Sequence, residues 1–307
     1  MLAVLEAFAV IAVIIAAGAV VGRTGVLGDN ARMVLNRVAF HVGVPALLII
    51  TLSDSTPAQV FSLPLLVSAV AALVMFGASF TFAVVLRRRG RADATIGAWA
   101  ASWVNSGNLG IPLSAYVLGS TTEVSVLLVF QTVVLVPLGV AIITSEAQGG
   151  SSVRSQVREF VTNPIIVASA IGIGLALTGV TLPRAIHEPL DLLADLAIPT
   201  VLLAFGMALV TQTSRPTQES RLELAVAVVF KVLVMPALAY ALARWVFGAP
   251  AEQVAVITVL AALPAAQNLN TYAAVFGRGE TLARDVTLIT TLASVPVITA
   301  LAYLMEL

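Results

Sequence analysis

Two of the long apolar stretches in this chain carry an amide-rich interruption near their middle. The first covers residues 105–112, reading NSGNLGIP, and the second covers residues 264–270, reading PAAQNLN. Hydrocarbon supplies no hydrogen bonds to backbone groups that proline and glycine leave open, so such segments occur only where protein buries them or where they line a water-filled cavity. Interrupted helices at corresponding places in the two halves of a membrane chain are typical of a transporter's binding site.

The composition places the chain in a lipid bilayer. Of its 307 residues, 59% are hydrophobic and 10% are charged, whereas a soluble domain carries about 25% charged residues. The formal net charge is zero, which indicates no nucleic-acid partner. The absence of cysteine excludes disulfides, thiolate metal sites and a cysteine nucleophile. We therefore expect membrane lipid as the surroundings, with no metal and no cofactor.

Ten apolar segments are long enough to cross the bilayer, which takes about 20 residues of helix. They cover residues 2–22, 34–52, 60–86, 95–118, 124–144, 163–180, 190–210, 222–247, 254–276 and 282–304. When the segments alternate in direction, thirteen of the 16 basic residues fall on one side of the membrane and two on the other. The positive-inside rule then places both termini outside the cytoplasm.

The two halves of the chain carry matching prolines. Pro45 in the second span corresponds to Pro199 in the seventh, and Pro137 in the fifth corresponds to Pro296 in the tenth, at nearly equal offsets along the chain. A unit of five spans must enter the membrane from opposite sides in its two copies, so the sequence predicts an inverted repeat. We expect the first repeat at residues 1–145, a cytoplasmic hinge loop at 146–162 and the second repeat at 163–307.

The interruptions in spans four and nine then occupy equivalent places, and we expect them to form one composite binding site. Pro112 and Pro264 would break the two helices, because proline lacks an N–H group and clashes with the preceding turn. Half-helix N-termini beside such breaks favour an anion, especially a carboxylate. The predicted substrate-binding residues are Asn105, Ser106, Gly107, Asn108, Gln267, Asn268, Asn270 and Tyr272. The alternative is that these amides bind only one another and hold helices together.

Three ionisable residues inside the predicted spans are candidates for anion contact or ion coupling. Lys231 lies deep in span eight, where it either faces the carboxylate of a substrate or pairs with a buried acid or with helix-end carbonyls. Asp195 and His41 each lie four residues before one of the paired prolines. Asp195 either couples transport to protons or sodium or favours a helix N-terminus. His41 either titrates near physiological pH or packs through a hydrogen bond.

Four motifs resemble those of the auxin efflux carrier family, which includes plant auxin exporters and bacterial carriers named for malonate or malate. They are residues 105–113, Pro199 with Gly206, Lys231 with Pro236, and residues 268–272. The loop between the halves is short, and Gln267 and Asn268 replace the Asn-Pro signature of the plant exporters. The resemblance therefore points to the bacterial branch and its inner membrane. It implies the fold of bile-acid symporters, with crossed helices at spans four and nine.

The resemblance also implies an elevator cycle, in which spans three to five and eight to ten move against a scaffold of spans one, two, six and seven. We further expect a homodimer formed through the scaffold helices. The leading prediction is a secondary carrier of small organic anions, such as mono- or dicarboxylates. The alternatives are a sodium- or proton-coupled carrier of another solute, and a membrane sensor that binds a ligand without moving it. No acidic pair falls at catalytic spacing within one span, which argues against an enzyme.

Overall fold

Helices occupy each of the ten apolar segments. The computed structural model describes residues 2–28, 30–146, 158, 161–211 and 221–305. Within those ranges the chain is helical, with one isolated β-bridge and no strand. The prediction of an all-α integral membrane protein is confirmed. The predicted hinge at 146–162 lies outside the described residues, apart from Glu146, Arg158, Val161 and Thr162.

We number the helical stretches of the described residues α1–α12 in chain order. They are α1 (Leu2–Thr24), α2 (Ala31–Ser53), α3 (Pro57–Leu86), α4 (Arg91–Ser102), α5 (106–118), α6 (Thr122–Glu146), α7 (Pro164–Thr178), α8 (Arg184–Ala208), α9 (Arg221–Val246), α10 (Ala251–Ala261), α11 (Asn268–Phe276) and α12 (Glu280–Leu304). In this part of the chain, six helices are long and apolar enough to cross a membrane: α2, α3, α6, α8, α9 and α12. Spans four and nine are each divided, into α4 and α5 and into α10 and α11. The number of ten crossings stays a prediction.

Four of the prolines that lie inside these helices follow a turn of π-helix. The wider turn adds one residue to the helix, and it absorbs both the missing N–H group and the clash of the ring with the preceding turn. The turns are Ala39–Gly43 before Pro45, Ser106–Gly110 before Pro112, Gln131–Leu135 before Pro137, and Phe230–Val234 before Pro236. Pro112 therefore lies in helical backbone, and the interruption of span four lies upstream at residues 103–105, which corrects the predicted helix break at Pro112.

Left-handed backbone conformations recur in the two halves at nearly constant offsets. The matching residues have positive φ angles and end or follow a helix: Gly25 and Gly179, Gly119 and Gly277, and Arg88 and Gly248. Their separations along the chain are close to those of the paired prolines. Glycine takes this conformation without the steric penalty that other residues meet, which explains five of these six identities. The two halves of the chain thus share local geometry as well as proline positions.

The chain divides into two compact units, and each unit combines segments from both halves. The first unit contains Met1–Ser62, Gly107–Val129 and Gln156–Ser214. The second unit contains Leu63–Ser106, Phe130–Ser155 and Arg215–Leu307. Both interruptions, at 103–105 and at 262–267, therefore fall in the second unit.

Close helix packing in the first unit depends on glycine. In α8, a Cβ on Gly206 would overlap the carbonyl oxygen of Ile15 in α1, and in α1 a Cβ on Gly18 would overlap the backbone of Leu203. Small residues at such positions let helix backbones approach closely, which is the main source of association between helices in lipid. The α1–α8 contact is therefore a rigid part of the first unit.

Replacing Gly206 by alanine should lower the melting temperature of the detergent-purified protein, because overpacking of this kind costs about 1–3 kcal/mol. The matched control is Gly174→Ala in α7 of the same unit, where an added Cβ would meet nothing within 4 Å. Alanine is favoured over glycine in a helix by about 0.5–1 kcal/mol, so this control should melt at or above the wild-type temperature. Equal melting of the two variants would show that α1 and α8 are not closely packed.

Candidate functional site

The two interruptions meet in the second unit as a short antiparallel pair of extended segments. The isolated bridge joins Val104 to Ala265. The Asn105 N–H donates to the Pro264 carbonyl at 2.9 Å, and the Ala266 N–H donates to the Trp103 carbonyl at 3.0 Å. We call this pair, residues 103–105 with 264–266, the crossing. Each extended segment thus hydrogen-bonds backbone groups that the other segment would leave unpaired. Such pairing is required where no water is present.

The second break has a local cause, whereas the first depends on its partner. Helix α10 ends at Ala261 because Pro264, which has no N–H group, disfavours helical backbone in the residue before it. Helix α4 ends at Ser102, and Trp103 takes an extended conformation with φ −84° and ψ 109°. No proline follows within the next few residues of α4, so pairing with the second segment is what keeps residues 103–105 extended.

Polar side chains from α6 and α12 support the crossing, and the sequence reasoning did not identify them. Gln131 lies beside Val104. In the amide orientation that satisfies both of its polar atoms, Oε1 accepts from the Val104 N–H at 3.1 Å and Nε2 donates to the Val104 carbonyl at 3.2 Å. Thr290 Oγ1 accepts from the Ala265 N–H at 3.1 Å. The signal available in the sequence was the offset between Pro137 and Pro296, which is the same as the offset between Gln131 and Thr290.

The structure brings several predicted binding residues together around the crossing. Asn105 and Ser106 are buried, Gln267 and Asn270 are half-buried, and Asn268 is exposed at the start of α11. The Asn270 amide nitrogen lies 3.2 Å from the Gln267 carbonyl and 3.4 Å from Thr287 Oγ1. These residues all belong to the second unit.

The remaining predicted residues of the first break group with the first unit. Gly107 and Asn108 are half-buried, and Pro112 is buried in α5. Gly107 has no heavy atom within 4 Å of an added Cβ, so its lack of a side chain is not required by packing. Their predicted role in substrate binding stays a prediction.

Aromatic side chains form a wall on one side of the crossing in the second unit. The Tyr272 ring centroid lies 5.4 Å from that of Trp99, 5.7 Å from that of Trp103 and 6.5 Å from that of Phe276. Trp99 is fully buried, and its indole N–H donates to the Leu135 carbonyl at 3.1 Å. A buried aromatic group with its polar atom satisfied is a rigid surface. Tyr272, predicted as a substrate contact, is half-buried, as is Phe276.

Lys231 is fully buried and is directed toward the end of a half-helix. Its Nζ donates to the Ala261 carbonyl at 2.9 Å and lies 3.3 Å from Met235 Sδ. Ala261 is the last residue of α10, where unpaired carbonyls carry partial negative charge that a cation neutralises. This arrangement is the helix-end pairing that the sequence allowed as one of the two roles of Lys231. Contact with a substrate stays a prediction.

Asp195 and His41, the candidates for ion coupling, both lie in the first unit and are exposed. His41 Nδ1 lies 3.0 Å from the Arg37 carbonyl one turn earlier. Asp195 lies at the junction between Arg184–Ala194 and Ala197–Thr211, at the C-terminal end of the first of these segments. It also lies two residues before Ala197, where the second segment begins, so its alternative role near a helix N-terminus stays a prediction too. Coupling through either residue stays a prediction.

One buried acid escaped the sequence reasoning. Asp285, near the start of α12, is 4% exposed, and its Oδ1 accepts from Arg284 at 2.8 Å. The available signal was an aspartate near the start of predicted span ten, residues 282–304. A buried carboxylate requires a paired cation, and Arg284 supplies it.

A chain of apolar helices in which two helices are interrupted and paired at their breaks defines a multi-pass membrane transport protein. The sequence model of a family described as "Membrane transport protein" matches residues 3–302. The chain therefore belongs to this family, the auxin efflux carrier family that its motifs resemble.

Two relatives support this membership. The chain is 31% identical over 281 residues to a Rhizobium meliloti (strain 1021) protein named "Putative malonate transporter", covering 89% of this chain and 86% of that protein. It is 29% identical over 201 residues to an "Uncharacterized transporter" of Methanothermobacter thermautotrophicus (strain Delta H), covering 64% of this chain and 65% of that protein. The predictions of a transmembrane transporter and of its family are confirmed.

Proposed function

We propose that the chain is a secondary carrier of small organic anions, and that it binds a carboxylate at the crossing. The observation that carries this proposal is the arrangement of the second unit there. Within this unit, α11 begins at Asn268, just after the second break, and Ser106 follows the first break. The N-terminal end of α11 carries partial positive charge and favours an anion.

The charges near the crossing favour an anion over a cation. Residues 103–108 and 264–272 include amide and hydroxyl side chains but no acid. Lys231 Nζ donates to the Ala261 carbonyl, so the C-terminal end of α10 at the crossing is hydrogen-bonded by a side chain. The start of α11, in the same unit, keeps its partial positive charge. Cation–proton antiporters of similar architecture usually carry carboxylates beside their crossed helices, although amides and backbone carbonyls can bind sodium.

The chemistry of the relatives narrows the class of anion. The Rhizobium protein is named for malonate, a small dicarboxylate, and it aligns over most of both chains. We propose mono- and dicarboxylates of this size as substrates, with recognition by helix N-termini and by Asn268, Gln267 and Asn270. The aromatic wall around Tyr272 supplies an apolar surface for the carbon chain of the anion.

The division into two units is the basis of the proposed mechanism. In an elevator cycle the second unit, which holds the crossing, moves against the first, which serves as the scaffold. The units group residues 107–129 with the first unit, whereas the resemblance places all of spans four and five in the moving domain. The inverted repeat, the inner bacterial membrane with external termini, and a homodimer through the scaffold helices belong to the same proposal.

Malonate should raise the melting temperature of the detergent-purified protein, because a ligand that binds only the folded state stabilises it by about 2.7 kcal/mol at a concentration of 100 times its Kd. The screen includes acetate, malonate, succinate and, as a cationic control, choline. Each is measured with and without sodium and at several pH values, which shows whether sodium or protons change the binding of the carboxylate. Stabilisation by choline and by none of the carboxylates would refute the proposal.

A further inference from the structure

Helices α6 and α12 each place a fully buried polar side chain at the crossing. Gln131 and Thr290 are both 0% exposed and lie in apolar surroundings, where a polar group is retained only if it is hydrogen-bonded. Each is engaged with the backbone of the break that precedes its own helix in the chain: Gln131 with Val104, and Thr290 with Ala265. Val104 and Ala265 are the two residues joined by the β-bridge.

These bonds satisfy the groups that the crossing itself leaves open. The bridge uses the N–H groups of Asn105 and Ala266, so the Val104 and Ala265 N–H groups depend on side chains. The Val104 carbonyl also accepts from the Ser106 N–H at 2.8 Å. An unsatisfied N–H at this depth would favour refolding of the break into helix or entry of water. Gln131 and Thr290 therefore hold the extended backbone in place.

The same helices also contact two side chains of the proposed anion site. The Gln131 amide lies 2.9 Å from Ser106 Oγ, at the start of α5. On the other side, Thr287, one turn before Thr290, lies 3.4 Å from the Asn270 amide nitrogen in α11. At each break, residues of the following long helix therefore hydrogen-bond the extended backbone and also lie beside one polar side chain next to it.

We infer that Gln131 and Thr290 are a matched pair of positioning residues, which fix the two breaks so that Ser106 and the start of α11, both in the second unit, can hold an anion. This inference rests on the proposed function. The two residues touch the backbone and Ser106 rather than the anion, so they act through the position of the helix starts. They are as far apart in the chain as the paired prolines Pro137 and Pro296, which assigns them the same role in the two halves.

Thr291 is a matched control for Thr290. The two residues are adjacent in α12 and both buried, at 5% and 0% exposure, and valine is close in shape to threonine at either place. Among the described residues, Thr291 Oγ1 has no hydrogen-bond partner, whereas Thr290 Oγ1 accepts from Ala265 and donates to the Val286 carbonyl at 2.7 Å. Thr290→Val therefore removes a hydroxyl that hydrogen-bonds the crossing, and Thr291→Val removes a hydroxyl that makes no hydrogen bond to the described residues.

The experiment compares Thr290→Val, Thr290→Ser and Thr291→Val with the wild type in detergent, using malonate binding and hydrogen exchange. Thr290→Val should weaken malonate binding about tenfold. It leaves the buried Ala265 N–H without a partner, which costs about 1–3 kcal/mol and favours a displaced break, and about 1.4 kcal/mol corresponds to a tenfold change in affinity. Thr290→Ser keeps both bonds and should bind within about threefold of the wild type, as should Thr291→Val. Exchange of amides in peptides covering residues 265–270 should rise only in Thr290→Val, with or without malonate.

Two results would overturn the inference: equal malonate affinity of Thr290→Val and Thr291→Val, or equal exchange in their 265–270 peptides. Should Thr290→Val fail to fold, Gln131→Leu serves in its place, because leucine is close in size but can neither accept from the Val104 N–H nor donate to the Val104 carbonyl. Faster exchange near residue 104 in that variant supports the inference, and unchanged exchange opposes it. Failure of the wild type to bind any carboxylate would instead refute the proposed function. The exchange measurements are made without malonate as well, so they still test whether Thr290 holds the break in place.

Discussion

Replacing Lys231 by alanine should destabilise the protein by about 3–5 kcal/mol, because it removes a buried hydrogen-bonded donor and leaves a cavity in a packed interior. Lys231 is among the largest fully buried side chains of the described residues, and its Nζ bonds the Ala261 carbonyl at the end of α10. Without it, that carbonyl and the negative end of the half-helix have no counter-charge in apolar surroundings. Thermal unfolding in detergent measures the effect.

Lys231→Met is the matched control, since methionine keeps most of the side-chain volume and removes only the ammonium group. We expect it to unfold between the wild type and Lys231→Ala. Its malonate affinity separates the two roles of the lysine: unchanged affinity means that Lys231 acts only on the helix end, and a loss of tenfold or more means that its charge also reaches the anion. Wild-type stability of both variants would contradict a buried, bonded lysine.

Replacing Asn268 by aspartate should abolish anion binding while leaving the fold intact. Asn268 is exposed at the first position of α11, beside the crossing. A negative charge in the first turn of a helix stabilises that helix by about 0.3–1 kcal/mol, so the melting temperature should hold or rise. The same charge repels a carboxylate bound at that helix end, and two unit charges about 4 Å apart repel by about 4 kcal/mol at an effective dielectric of 20. Malonate affinity should therefore fall by at least a hundredfold.

The control for this charge is Asn163→Asp in the first unit. Asn163 caps the N-terminus of α7, where its side chain accepts from the Ile165 N–H at 2.9 Å. Aspartate is an equally good cap, so this variant should fold and bind malonate as the wild type does. Isothermal titration of both variants checks the prediction. Wild-type malonate affinity in Asn268→Asp would show that the anion does not lie at the start of α11.

The sequence predicts the position of the second break correctly and misplaces the first. Pro264 marks the end of α10 because its effect on the backbone is local. Pro112 does not mark the first break, because it follows a π-helical turn and lies within helix. The first break begins at Trp103, where no proline or glycine directly precedes it to indicate a helix end. Its extended backbone depends on bonds to residues in the other half of the chain, which no local pattern reports.

Side chains that act on a distant backbone were equally hidden. Gln131 and Thr290 look like ordinary polar residues within apolar spans, and only the crossing shows what they bond. Lys231 was conspicuous as a buried charge, but its partner is a main-chain carbonyl, which has no sequence signature. Composition and periodicity indicate helices and spans because those depend on single segments, whereas the site depends on pairs of segments.

The most direct test of the account is counterflow of labelled malonate into proteoliposomes loaded with unlabelled malonate. We predict accumulation of label with the wild type and with Asn163→Asp, and a loss of at least tenfold in initial rate with Asn268→Asp. Liposomes without protein control for leakage, and succinate and acetate extend the measurement to related anions. Folded wild-type protein that accumulates none of these carboxylates would contradict the central claim that the crossing binds and carries a small organic anion.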